Sequence, residues 1–92
     1  MELRILNGNS PKLRRLLGPL AGKVEIKRGD AFLEVATEEN IAVGRAVFET
    51  LLTQGYTANA FPKEGTGEHE RVTEFPGIEM WRVVMFGPIA GG

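Results

Sequence analysis

The stretch from Thr37 to Gly55 constrains this chain most, because Ile41, Val43, Val47, Phe48, Leu51 and Leu52 recur there at helical spacing. Thr37 supplies an N-cap hydroxyl, Glu38 and Glu39 put negative charge in the first turn, and Gly55 offers a left-handed stop. A helix with one apolar stripe has to bury it against something. The flanking segments alternate polar and apolar residues, which is the pattern of strands. Residues 2–6 alternate with Leu3 and Ile5 on one side and stop at Asn7-Gly8-Asn9. Residues 23–28 and 31–36 flank Gly29-Asp30, and the apolar set Val24, Ile26, Phe32 (or Ala31), Leu33 and Val35 predicts a two-residue antiparallel hairpin. Residues 56–61 predict a strand closed by Pro62, residues 63–71 a polar loop, and the apolar run 78–86 a largely buried strand. Ahead of the hairpin, Ser10 and Pro11 followed by Leu13, Leu16 and Leu17, with Gly18-Pro19 behind them, predict a helix of about two turns.

Ninety-two residues leave room for one core, and 42% apolar against 25% charged residues is a globular rather than a disordered balance. The expectation is an α+β single domain. Residues 1–22 form an N-terminal strand and short basic helix, residues 23–86 a core of four to five strands on one main helix, and residues 87–92 a tail. With no cysteine and a single histidine, disulfide, thiolate and zinc chemistry have no ligands to work with, so neither metal nor cofactor is expected. No run approaches membrane-spanning length and residues 1–6 do not resemble a signal peptide, so a cytoplasmic protein without membrane partners is expected.

Charge is unevenly spread. Residues 1–28 carry seven basic side chains against two acidic ones, while residues 29–92 carry four against ten, and the whole sums to -1. Lys12, Arg14, Arg15 and Lys23 make a basic patch, but no aromatic residue is interleaved for base stacking and the net charge disfavours nucleic acid. A solvated helix face, or docking onto an acidic protein, explains it as well. His69 among Glu68, Glu70 and Arg71 reads as a solvated loop residue. Glu38 and Glu39 belong to a helix start, since adjacent helical residues point about 100° apart. Ser10, the one serine, sits at a cap and has no triad. An enzyme is not expected.

The chemistry that remains lies in Phe86-Gly87-Pro88-Ile89-Ala90-Gly91-Gly92, directly behind a hydrophobic strand. Two glycines thread a narrow channel because they lack Cβ atoms. A terminal carboxyl, with a pKa of about 3.5, is ionised at neutral pH and must be activated, for instance by adenylation, before acyl transfer. No glycine-rich phosphate loop followed by Lys and Ser/Thr exists here, so a partner would bring the ATP. This tail resembles the ending of the MoaD/ThiS sulfur-carrier and ubiquitin-like β-grasp proteins, especially the molybdopterin-synthase small subunits. The hairpin, helix, strand, strand order of residues 23–86 is compatible with a β-grasp. Residues 44–60, with Phe75 and the tail, also resemble short bacterial and phage proteins that end in Pro-x-x-Gly-Gly, a group that brings no established activity. Sulfur carriers usually begin directly with the first hairpin strand, whereas here some 22 residues precede it. The residue before Pro88 is glycine, where the molybdopterin-type tail commonly has a second proline.

The resemblance implies a β-grasp-like carrier whose Gly92 is the acyl site, with Gly91 giving channel clearance. An adenylating enzyme is the implied partner, met by Phe86, Pro88, Ile89 and Met80. Strand alternation puts Met80 and Phe86 on the face opposite Trp81 and Met85, predicting an apolar docking face. The alternative is a structural or interaction protein, in some cases phage-encoded, that binds a protein or self-associates through a sheet face and has an inert tail.

Overall fold

A computed structural model describes residues 1–88, and the chain forms an α+β fold: β1 (Glu2–Ile5), α1 (Pro11–Leu17), a 3-10 helix (Gly18–Lys23), β2 (Glu25–Lys27), β3 (Asp30–Glu34), α2 (Glu38–Thr53), β4 (Thr57–Phe61), β5 (Glu70–Val72) and β6 (Arg82–Phe86). One mixed sheet runs in the order β2-β3-β1-β6-β4-β5. All neighbours are antiparallel except the central pair, β1 and β6. Two antiparallel strands, a long helix, then three strands whose last returns beside the first is a β-grasp-like plan. Its paired first arms are β1 and β3.

This corrects the expected division at residue 23. The strand over residues 2–5 is no appendage: it sits mid-sheet, bonded to β3 on one side and β6 on the other, with Leu3 and Ile5 fully buried. The 22 residues that precede the expected hairpin therefore hold the first grasp strand and the start of an insertion between the two arms, which comprises α1, the 3-10 helix and β2. The six strands among the described residues match the expected four to five plus the N-terminal one, but the N-terminal strand is part of the grasp core.

Local signals explain most element ends. Ser10 Oγ accepts the Leu13 N–H at 3.1 Å and Thr37 Oγ1 the Asn40 N–H at 3.2 Å, so both helices carry side-chain caps. At the other end of α2, the Gly55 N–H donates to the Leu52 carbonyl and the Tyr56 N–H to the Leu51 carbonyl, both at 3.0 Å, with Gly55 at φ 89°. That is a Schellman ending. The hairpin turn is centred one residue earlier than expected, on Arg28 (φ 52°) and Gly29 (φ 87°), as a type I′ turn requires. The shift decides which side is core: Ala31, Leu33 and Val35 face inward and Phe32 outward.

Two other expectations need correction. Residues 70 and 71, expected at the end of a polar loop, instead pair with β4 together with Val72 as an edge strand, because a three-residue strand with one apolar side chain leaves no periodicity to read. The last strand starts at Arg82 rather than at residue 78, since Gly77 opens a turn in which the Met80 N–H reaches its carbonyl. One core results, with Leu3, Ile5, Leu33, Val83 and Met85 from the sheet meeting Leu13 and Leu17 of α1 and Val47, Phe48 and Leu51 of α2. Both helices cover this one face, and among the described residues no helix covers the other, which is bare.

Candidate functional site

The bare face owes its character to the alternate residues of the same strands. Arg4 lies in its middle, bonded to Asp30 through Nε at 3.1 Å and Nη2 at 2.7 Å, with its guanidinium 5.2 Å from the Phe32 ring centre. Asp30 also accepts the Asn7 N–H at 3.0 Å. The Arg4 hydrogen bonds, reinforced by Asn7, hold the Asp30 carboxyl below the usual carboxylate range against the opposing effect of burial. Arg82 pairs with Glu2 at 2.8 Å and stacks 4.3 Å from the Trp81 ring centre. The Glu2–Arg82 contact is close in distance but poorly angled for a hydrogen bond. Much of the face is thus occupied by internal ion pairs.

A lowered carboxyl stabilises the fold above its unfolded-state pKa, and the gain disappears as pH falls toward the folded value. Asp30→Asn should therefore lose about 1–2 kcal/mol at pH 7, the lower part of the range for charged hydrogen bonds because Arg4 is partly solvated. The deficit should shrink as pH drops below about 4. Urea midpoints of both proteins from pH 7 to 3 check this, and a deficit constant with pH contradicts it.

The end of β6 differs from the rest. The Leu6 N–H donates to the Met85 carbonyl at 2.9 Å, which carries the β1–β6 register one step further and sets Leu6 beside Phe86. Both side chains are 37% exposed. Beyond them Gly87 crosses the ring of Tyr56, where an added Cβ would stand only 3.0 Å from the ring carbon that bears the hydroxyl. Glycine is what admits that approach. Pro88, exposed, comes up against Gly55, the residue that ends α2. Burial against this exit pushes the Tyr56 hydroxyl pKa up. The chain therefore leaves the sheet through a defined path, Phe86-Gly87-Pro88, with an apolar pair beside it.

Of the residues singled out from sequence, Phe86 and Pro88 come together at this exit. Ile89, Gly91 and Gly92 lie outside the described residues. Met80 does not belong: it sits in the turn before β6 and packs against the core, so the expected shared face with Phe86 is corrected. Alternation holds only inside a strand, and the strand begins after Met80. Met85 is fully buried on the helix side as expected, whereas Trp81, just ahead of the strand, meets Phe61 edge-on at 6.5 Å between ring centres. Leu6 and Tyr56 were not anticipated as part of a site. Leu6 was legible as the last member of the first alternating run, but its partner across the sheet was not.

Lys12, Arg14, Arg15 and Lys23 are exposed on α1 and the 3-10 helix. His69 tilts against Phe61 with ring centres 5.1 Å apart, its Nδ1 3.1 Å from the Gly67 carbonyl oxygen. Among the described residues no group of three His, Asp or Glu side chains is placed to hold a metal ion, and no helix is long and apolar enough to cross a membrane. Comparison with family models, with curated proteins and with solved structures found no match to this chain.

Proposed function

We propose that this chain is a ubiquitin-like, sulfur-carrier-like protein that offers the carboxyl group of Gly92 to an adenylating partner enzyme. The observation that carries the reading is the exit of β6: the strand next to β1 in the middle of a β-grasp-like sheet leads, past Phe86, Gly87 and Pro88, toward a Gly-Gly pair. In this reading a carboxylate oxygen of Gly92 attacks the α-phosphorus of the partner's ATP, pyrophosphate leaves, and a sulfur or amine nucleophile later displaces AMP. The carboxyl can be native or laid bare by trimming of a longer chain. Leu6 and Phe86 give the partner an apolar contact next to the exit, and Gly91 passes where a Cβ would not.

Intact-mass analysis of the protein from its native cells tests the reading. The expected result is a fraction carrying sulfur in place of a carboxyl oxygen, or joined to another protein through Gly92. A chain lacking Gly91 and Gly92 should show neither form, and Phe86→Asp should reduce it about tenfold while leaving the fold intact, as expected for an exposed contact residue. An unmodified chain as the sole species, under conditions in which it is expressed and folded, overturns the proposal. The exposed Leu6–Phe86 pair would in that case favour the second reading, an interaction protein that docks by this patch and has an inert tail.

A further inference from the structure

The insertion between the two grasp arms adds Leu13 and Leu17 to the core but is not needed to join the arms, because β1 and β3 pair directly. What it builds is a second surface. Under β2, between that strand and α1, lies a groove of about 300 Å³ lined by Gly8, Leu13, Arg14, Leu17, Val24 and Ile26, among others. β2 is an outer strand of the sheet, and Ile26, on its helix-side face, is 40% exposed. In a hairpin closed by the Lys27–Asp30 pair, alternation turns the N–H and C=O of Ile26 away from β3 toward the open edge. Val24 ahead of it is also extended (φ -105°, ψ 149°), so the edge is longer than the strand proper.

The same segment is strongly basic. Lys12, Arg14, Arg15, Lys23, Lys27 and Arg28 are six of the eleven basic residues of the chain, and all are exposed. Glu25 is the one acid in residues 6–28, and its carboxylate is paired with Lys27 at 3.2 Å. Lys23 and Lys27 line the cleft on one side of β2 together with Glu2, Glu25 and Glu34, while Arg14 is the one charged side chain that lines the groove on the other. A charged, short edge ordinarily guards a sheet against pairing. Here residues 12–28 carry six basic side chains against Glu25 alone, so the segment's net positive charge repels a second copy of this edge and attracts an acidic strand.

We infer that this edge binds an extended acidic segment of a partner protein, which adds to the sheet as a strand beside β2. One residue of the segment exchanges backbone hydrogen bonds with Ile26, its apolar side chain enters the groove beside Ile26, Leu13 and Leu17, and flanking carboxylates meet the cations. Nucleic acid would be drawn by the same charge. It is disfavoured because residues 6–28 contain no aromatic side chain on which a base could stack, whereas the groove is apolar and the edge offers backbone donors and acceptors.

The test is fluorescence anisotropy with the full chain and a labelled short peptide that has a Val-Leu-Val centre and Asp and Glu at both ends. Saturable binding with a Kd below about 100 μM at low salt is expected, weakening as salt rises. N-methylation of the central leucine of the peptide, which leaves the protein untouched, should weaken binding at least about tenfold by removing one strand bond and blocking approach. Arg14→Glu combined with Lys27→Glu, both at exposed sites, should weaken it to a similar degree. No saturation by about 1 mM peptide overturns the inference, as does binding indifferent to N-methylation. Tighter binding of a short oligothymidylate than of the peptide overturns it in favour of nucleic acid, and concentration-dependent self-association that excludes the peptide overturns it in favour of a second copy. None of these outcomes depends on Gly92, so the inference and the proposed carrier role fail or stand separately.

Discussion

Phe48→Ala should remove about 3–5 kcal/mol of folding free energy, the range for deleting a fully buried aromatic side chain. Phe48 is completely buried on α2 and meets Phe75 edge-on, with ring centres 5.6 Å apart. The inner face of the sheet includes Ala31, Ala58 and Ala60, three small residues, so much of the volume between helix and sheet has to come from the helix. Domains of this kind are stable by only about 5–15 kcal/mol, so the substitution should consume a large share of the total and lower Tm by more than about 12 °C. Trp81 is the sole tryptophan and packs against Phe61, which makes its fluorescence a direct reporter of unfolding in urea. Phe86→Ala, at a residue 37% exposed, should cost far less. Equal losses at the two positions would contradict the packing of α2 on this face.

Gly8→Ala should cost about 1–3 kcal/mol, the usual penalty for forcing atoms into filled space. The position is buried in the turn after β1, and a Cβ there would fall on the backbone nitrogen and side chain of Ala31 in β3. Neither neighbour can give way cheaply, since Ala31 is fully buried and paired to β1 and β2. This close approach ties the insertion to the sheet. Gly22→Ala in the 3-10 helix is the matched control: a Cβ there meets nothing within 4 Å and its φ is not positive, so the change should be neutral or slightly stabilising. Urea midpoints at unchanged m-value compare the pair, and a neutral Gly8→Ala would mean that the turn is not pressed against β3.

Elements whose cause is local were legible. The spacing of Ile41 to Leu52 and the residues Thr37 and Gly55 specify α2 within its own turn-to-turn contacts, and its observed cap and Schellman ending follow from them. Ser10-Pro11 did the same for α1. β5 was not legible, because Glu70, Arg71 and Val72 become a strand only when β4 offers them a partner. The start of β6 was misplaced for a related reason. Hydrophobic content runs through from Ile78, but the turn at Gly77–Met80 is made by backbone bonds that composition does not encode.

For the candidate site the division is sharper. Sequence order alone places Phe86, Gly87 and Pro88 behind a buried strand, and it identifies the basic residues of 12–28 and the Gly-Gly pair. Tertiary structure alone decided that Leu6 stands beside Phe86, that Tyr56 and Gly55 shape the exit, that Met80 is excluded, and that Ile26 and Arg14 line one groove. Helix period, caps and turns depend on residues within four positions of one another, so they can be read along the chain. Which strands become neighbours depends on pairings across as many as eighty residues, as between β1 and β6, and no local pattern carries that information.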